Sequence, residues 1–151
     1  MATPKLKATR VSPNIKKFFD KIIEPKTAFF RGFHLGIETK EIKTKEKFKL
    51  FEKDSDHVGY SYETSNFEMV DILYFEDVFK RLHKIHVDIY MNDEKTSGEL
   101  YGLFYAHFEE AHGTPKKYKD QQVFVSEEYG TVRLTHIISS VEHGISIEFS
   151  K

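Results

Sequence analysis

A pair of histidines near the middle of the chain has the residue types of a metal site. His107 and His112 flank two glutamates and lie five residues apart. A zinc-binding helix places its two histidines four residues apart, so that both imidazoles reach one ion. A spacing of five turns the two rings about 140° away from each other around a helix. The sequence therefore predicts no metal site here. We expect His107 in the core and a protonated His112 at the helix C-terminus, where the helix dipole favours a cation.

A second candidate lies on a predicted strand around residue 88. Apolar and polar residues alternate there, which places His86, Asp88 and Tyr90 on the polar side of a half-buried strand. A histidine oriented by an aspartate can act as a general acid or base. The alternative is an ion pair that faces solvent. We favour the ion pair, because the sequence offers no nucleophile, oxyanion hole or metal beside it.

Asp71 is unusual because its neighbours on the same strand face are apolar. An unpaired buried carboxylate is costly, so Asp71 must turn outward at a bulge, pair with a cation such as Arg133 or Lys84, or line a pocket. His136 on a later strand would be its most informative partner. If both side chains point into one core, Asp71 and His136 form a buried, charge-assisted hydrogen bond.

Tyrosines cluster on the predicted strands, and they suggest a binding surface. Tyrosine is favoured at protein interfaces, since one end of the side chain is apolar and the other is polar. We predict a binding face formed by Tyr60, Tyr62, Tyr90, His86 and Asp88. Glu63, Asp88 and Glu148 fall on this face and would repel phosphate, so the sequence argues against nucleic acid as the ligand.

The composition is that of a globular domain. Hydrophobic residues make up 39% of the 151 residues and charged residues 31%. No apolar run approaches the roughly 20 residues that a membrane-spanning helix requires. The chain has no cysteine, which excludes disulfides and thiolate chemistry and fits a reducing compartment. We therefore expect a cytoplasmic protein without cofactor or metal.

Charge is distributed unevenly. The residues up to Arg31 include eight basic and two acidic side chains, a net charge of +6, and the remainder carries −7. A basic segment can bind an anionic partner such as nucleic acid or lipid. We favour the simpler interpretation, in which it lies against the acidic body of the same chain.

Two helices are well marked in the sequence. Ser12 and Pro13 begin the first, whose apolar stripe runs at helical spacing until Pro25. Thr96 and Glu99 have the spacing of a capping box for a second helix, which Gly113 and Pro115 end.

Each half of the chain has the same predicted order of elements. We predict one α+β domain over residues 1–151: a flexible arm over 1–11, an N-terminal amphipathic helix over 12–25, and two pseudo-repeated helix-β-β-β units over 30–93 and 96–151. The two units share an antiparallel sheet of about six to eight strands with the helices on one face. In this interpretation Tyr118–Asp120 is a loop.

The start of the first unit carries a short motif, with Gly32, Leu35-Gly36, Thr39 and Glu41-Ile42 in order. This motif and the helix-plus-meander order resemble small domains of the β-lactamase-inhibitor-protein and BamE-like type, although the inhibitors' disulfides are absent. The resemblance implies a binding fold that presents a sheet surface to a protein partner, and a bacterial source.

The sequence thus favours a non-catalytic protein–protein interaction module over an enzyme, with partner identity and oligomeric state open. The alternative is a small-ligand-binding protein or enzyme with a pocket between sheet and helices, near Asp71 and His136.

Overall fold

The computed structural model describes residues 10–151. Residues 1–9 of the predicted N-terminal arm lie outside the described residues. Val11, at the end of that arm, packs against the core.

An eight-stranded antiparallel sheet organises the chain, in the neighbour order β1-β2-β3-β4-β8-β7-β6-β5. The strands are β1 Lys49–Lys53, β2 His57–Glu63, β3 Met69–Glu76, β4 Leu82–Met91, β5 Lys116–Tyr118, β6 Gln121–Ser126, β7 Gly130–Ile138 and β8 His143–Ser150. The predicted α+β class and antiparallel sheet are confirmed.

The two outermost strands, β1 and β5, are absent from the prediction of three strands in each half. Tyr118 belongs to β5 and not to the predicted loop. Both strands have exposed residues throughout and are rich in lysine. An edge strand with little to bury needs no apolar alternation, and lysine protects its free edge from aggregation. The pattern that reveals the central strands is therefore missing at the edges.

Three helices accompany the sheet: α1 Pro13–Ile23, α2 Lys40–Lys45 and α3 Glu94–His112. The predicted apolar stripe of α1 is buried along its whole length, at Ile15, Phe18, Phe19, Ile22 and Ile23. At 11 residues α1 is too short to be stable alone, so this packing holds it in helical form.

The predicted capping box of α3 is wrong. Asp93 is the N-cap, and its Oδ1 accepts a hydrogen bond of 2.8 Å from the Thr96 backbone amide. Glu99 turns away from the helix end and accepts from the Ser12 backbone amide at 2.9 Å and from Lys95 Nζ at 2.6 Å. An aspartate three residues before Thr96 competes for the same amide. Glu99 is thereby free to join the start of α1 to α3.

One face of the sheet, here called the inner face, supplies most of the core. Its side chains are nearly all buried: Val58, Tyr60, Val70, Ile72, Tyr74, Ile85, Val87, Ile89, Phe124, Val132, Leu134, Ile145, Ile147 and Phe149. Rings from α3 and from the segment after α1 pack on them. Phe108 lies 5.6 Å from Phe124 between ring centroids, and Phe30 stacks on Phe149 at 4.5 Å.

A buried ion pair lies at the edge of this core. The Arg31 guanidinium meets the Glu46 carboxylate through both oxygens, at 3.0 and 2.5 Å. The side chains are 5% and 0% exposed. Arg31 Nη1 also donates to the carbonyls of Lys21 and Ile22 at 2.9 and 2.8 Å, in the last turn of α1. Glu46 further accepts from the Tyr74 hydroxyl of β3. One ion pair therefore joins α1, the segment after α2, and the sheet.

The protonation of this cluster follows from its contacts. Burial by itself would raise the pKa of Glu46, but the hydrogen bonds and charge of Arg31, with those from Tyr74 and Phe48, hold that pKa below its ordinary 4.5. Burial and the Glu46 charge raise the pKa of Tyr74 well above 10.0. At neutral pH the pair is ionised and Tyr74 is a neutral donor.

We expect Glu46→Ala to lower the free energy of unfolding by about 3–5 kcal/mol, because it leaves the Arg31 charge buried without a partner. The double substitution Arg31→Met with Glu46→Leu should cost less, since it removes both charges and keeps apolar volume. Urea unfolding of the three proteins measures this order. A double variant that is less stable than Glu46→Ala would contradict it.

The lowered pKa of Glu46 also predicts how stability depends on pH. A carboxylate with a lowered pKa in the folded state stabilises the fold above its unfolded-state pKa, and this contribution is lost as pH falls through the folded-state value. The stability difference between wild type and Glu46→Gln should therefore shrink as pH falls below 4.5. Urea unfolding at a series of pH values tests this, with exposed Glu127→Gln as the control. A difference that stays constant across this range would be inconsistent with an ionised, paired Glu46.

Candidate interaction face

The opposite side of the sheet, here called the outer face, carries most of the residues singled out from the sequence. Strand register arranges its middle in three rows. In the order β2, β3, β4, β8, β7 they are Gly59, Leu73, His86, Glu148 and Arg133; Ser61, Asp71, Asp88, Ser146 and Thr135; and Glu63, Met69, Tyr90, Gly144 and Ile137. Most of these side chains are half-buried, as is typical of a sheet face that meets solvent.

The three predicted interface tyrosines lie on opposite faces of the sheet. Tyr90 lies on the outer face and is 42% exposed. Tyr60 lies on the inner face and is only 5% exposed. Tyr62 is half-buried on the inner side and stacks on Phe48 at 5.1 Å. The prediction that Tyr60 and Tyr62 share a binding face with Tyr90 is wrong, because alternation shows which residues of one strand share a face but not which face is covered.

The predicted pair of His86 and Asp88 is present on the outer face. His86 Nε2 and Asp88 Oδ1 are 3.1 Å apart, and the side chains are 31% and 35% exposed. The hydrogen bond with Asp88 raises the pKa of His86. The pair is a half-exposed ion pair, which is the interpretation that the sequence favoured.

Asp71 lies directly opposite Asp88 on the neighbouring strand. Burial, followed by the charges of Asp88 and Glu52, raises the pKa of Asp71. Its carboxylate has no ion-pair partner or side-chain hydrogen bond among the described residues. Like charges directly opposite each other destabilise a sheet. A hydrogen-bond donor or a cation placed near this row would therefore reduce the repulsion between the two carboxylates.

The proposed bond between Asp71 and His136 is absent, because the two residues lie on opposite faces. His136 is in register with Ile145 and points to the inner side, while Asp71 belongs to the outer row. His136 Nε2 instead lies 2.8 Å from Ser97 Oγ of α3, and Tyr101 stacks on its ring at 4.8 Å. Burial lowers the pKa of His136.

The pair formed by Ser97 and His136 has the residue types of a nucleophile and its base. Ser97 is 0% exposed, however, so a substrate has no access to its hydroxyl. The hydrogen bond therefore fastens α3 to β7. Sequence reasoning missed it because Ser97 lies within a helix and 39 residues from its partner.

The histidines of α3 do not form a metal site. His107 packs against Phe19 at 5.9 Å, and burial lowers the pKa of His107. His112 lies 6.0 Å from Phe29 and 6.4 Å from Tyr129, and burial lowers its pKa too. Burial among these rings therefore opposes the imidazolium form that the helix dipole would favour at His112. In residues 10–151 no group of three or more histidine, aspartate or glutamate side chains could hold a metal.

The apolar neighbours that the sequence placed on the strand face of Asp71 lie with it on the outer face. Met69 lies opposite Tyr90, Leu73 lies opposite His86, and Lys84 lies over the Phe75 ring at 4.4 Å. Gly59 provides room for two of its neighbours, since a Cβ at this position would meet Leu73 and Phe51 at 2.8 and 2.9 Å. The outer face therefore carries apolar side chains among its charged ones.

A separate cleft of about 650 Å³ lies beside the buried ion pair, between the end of α1 and the segment after α2. Its volume is in the range of ligand sites. Its most buried polar groups, Arg31 and Glu46, are already engaged with each other and with backbone carbonyls. Neither Asp71 nor His136, the residues that the alternative function placed at a pocket, lines this cleft.

No family model, curated protein or solved structure matches this chain. Within the described residues no helix is both long enough and apolar enough to cross a membrane.

The geometry of the outer face predicts the titration of His86. Its pKa should lie above the ordinary 6.5, and Asp88→Asn should lower it, because the carboxylate that stabilises the imidazolium is removed. Glu63→Gln removes an equal charge from the same face without touching His86, and serves as the control. Histidine ring resonances followed by NMR across pH measure all three proteins. Equal shifts in the two variants would mean that a general surface potential acts instead of the specific pair.

Proposed function

We propose that this chain is a non-catalytic protein–protein interaction module that binds its partner through the outer face. The observation that carries the proposal is the composition of that face. Exposed Tyr90 lies opposite Met69, Leu73 lies two rows further along β3, and charged side chains lie between and around them. Interfaces combine an aromatic, apolar centre with a polar surround in this way.

The proposed architecture consists of two helix-plus-meander units with the helices on one face. In this interpretation α2 precedes β1–β4, α3 precedes β5–β8, and the units join where β4 pairs with β8. Ring contacts of α1 and α3 with the sheet involve inner-face side chains, such as Phe18 with Tyr62 and Tyr105 with Phe124. The outer face is then left for a partner, as in the inhibitor and BamE-like domains that the motif after Gly32 resembles.

A catalytic role has weaker support. Ser146 lies opposite Asp88, but among the described residues no hydrogen bond joins its hydroxyl to the His86 and Asp88 pair, and the Ser97 hydroxyl is enclosed by the core. The absence of cysteine is compatible with a cytoplasmic protein, and we place the interaction there.

Photo-crosslinking in cells tests the proposal. A photoreactive phenylalanine analogue in place of Tyr90 should give covalent adducts with a protein, because the side chain would lie inside the interface. The same analogue in place of Lys17, an exposed residue of α1, is the matched control. Adducts are identified by mass spectrometry after denaturing purification.

The expected result is one dominant adduct from position 90 that is absent from position 17. Leu73→Lys should reduce its yield by about tenfold or more, since a charge in an apolar interface centre is desolvated without a partner. Position 90 giving no adduct, or the same products as position 17, would refute binding through the outer face.

A further inference from the structure

The outer face is self-complementary, and we infer that the partner it fits is a second copy of this chain. This inference rests on the proposed function and specifies its partner. The two copies pack face to face around a twofold axis that runs parallel to the strands, at the junction of β4 and β8. An interface of this kind is isologous, so each contact occurs twice.

The position of the axis determines which residues meet. Rotation about it lays β4 on the partner's β8 and β3 on the partner's β7, and leaves the level along the strands unchanged. Each of the three rows of the outer face therefore meets the same row in reverse order. Because the rows follow from strand register, every facing pair near the axis can be named.

The row of Met69, Tyr90, Gly144 and Ile137 matches a large side chain with a small one. Tyr90, 42% exposed, faces the partner's Gly144, which has no side chain to obstruct it. Met69 faces the partner's Ile137. An aromatic side chain in a matching recess beside an apolar pair is the arrangement found at the energetic centre of interfaces.

The second row supplies the donors that the acidic pair lacks. Asp71 and Asp88 lie opposite each other within one copy. Across the axis they face the partner's Thr135 and the partner's Ser146, whose hydroxyls can donate to carboxylates. Charge-assisted hydrogen bonds of this kind are stronger than neutral ones, and they would offset the repulsion between the two aspartates.

The row of Leu73, His86, Glu148 and Arg133 brings opposite charges together. His86, whose ring is hydrogen-bonded to Asp88, faces the partner's Glu148. Arg133 forms no ion pair with any described residue, and it faces the partner's Leu73. Asp71 is two residues along that strand, about 7 Å away, so Arg133 of one copy is beside the unpaired carboxylate of the other.

The charges also select this axis over its alternative. An axis in the plane of the face but perpendicular to the strands would lay β3 and β4 on their own copies, with Asp71 and Asp88 against the same aspartates.

The size of the outer face is also suitable for a stable dimer. Strand spacing and rise give an area of roughly 700–800 Å² for the six central strands, close to the ~800 Å² that each partner buries in a standard interface.

Charge exchange between Asp71 and Arg133 tests the inference. Within one copy these residues lie three strands apart and two residues apart along the strand direction, a separation of about 16 Å, so any coupling between them must act between copies. The full chain, Asp71→Arg, Arg133→Asp and an equimolar mixture of the two variants are compared by sedimentation velocity across a concentration series. Lys17→Asp on α1 makes the same change of charge as Arg133→Asp away from the face, and circular dichroism checks that each variant is folded.

The full chain and Lys17→Asp should show a monomer–dimer equilibrium with the same dissociation constant. Asp71→Arg and Arg133→Asp should each raise that constant by about a hundredfold, because two like-charge contacts replace two attractive ones. The mixture should restore dimers, since each variant supplies the charge that the other lacks. Leu73→Lys should also dissociate the dimer, which keeps the test decisive if an exchanged variant is unfolded.

A full chain that stays monomeric at every concentration would overturn the inference, as would dimers that both variants leave intact or a mixture that stays monomeric. If the crosslinked adduct of position 90 is then a different protein, the proposed function stands and only the second copy is rejected. If position 90 gives no adduct, both fail.

Discussion

A buried ion pair between Arg31 and Glu46 joins three parts of the fold. It fixes the end of α1, through the Lys21 and Ile22 carbonyls, to a segment that also reaches Tyr74 of the sheet. The backbone of Arg31 has a φ of 54°, in the left-handed region that side-chain-bearing residues rarely adopt. A strained residue persists only where its surroundings hold it. Here two helix carbonyls, a carboxylate and the Phe48 ring, 3.9 Å from the guanidinium carbon, do so.

That ion pair lies at one end of the inner face, and aromatic side chains cover much of the remainder. Phe29 and Phe30 both pack on Phe149 of β8, at 5.2 and 4.5 Å between ring centroids, so the segment after α1 covers the middle of the sheet. Burial of these rings is the main stabilising contribution. Most of the large apolar side chains are buried on the inner side. Charged side chains on the outer face therefore do not reduce the apolar surface that the core buries. The outer face can thus remain uncovered, because packing on the inner face stabilises the fold.

Periodicity in the sequence predicted much of this fold and part of the site. The alternating residues of β4 placed His86, Asp88 and Tyr90 on one side, and the structure keeps them there. The same reasoning failed for Tyr60 and Tyr62, since both faces of β2 carry aromatic or small residues and alternation does not tell which face is covered. It failed for Asp71 and His136 for a related reason. Each was assigned to an apolar face of its own strand, but only strand register shows that these faces are on opposite sides of the sheet.

The sequence by itself determined the α+β class, the buried stripe of α1 and the alternation of the central strands, because these depend on the period of nearby side chains. Tertiary structure alone decided the edge strands β1 and β5, the partnership of Arg31 with Glu46, and the rows of the outer face. These features join residues that are distant along the chain, as Asp88 and Ser146 are. Local periodicity carries no information about such distances; they are set by how the strands pair and which side of the sheet is buried.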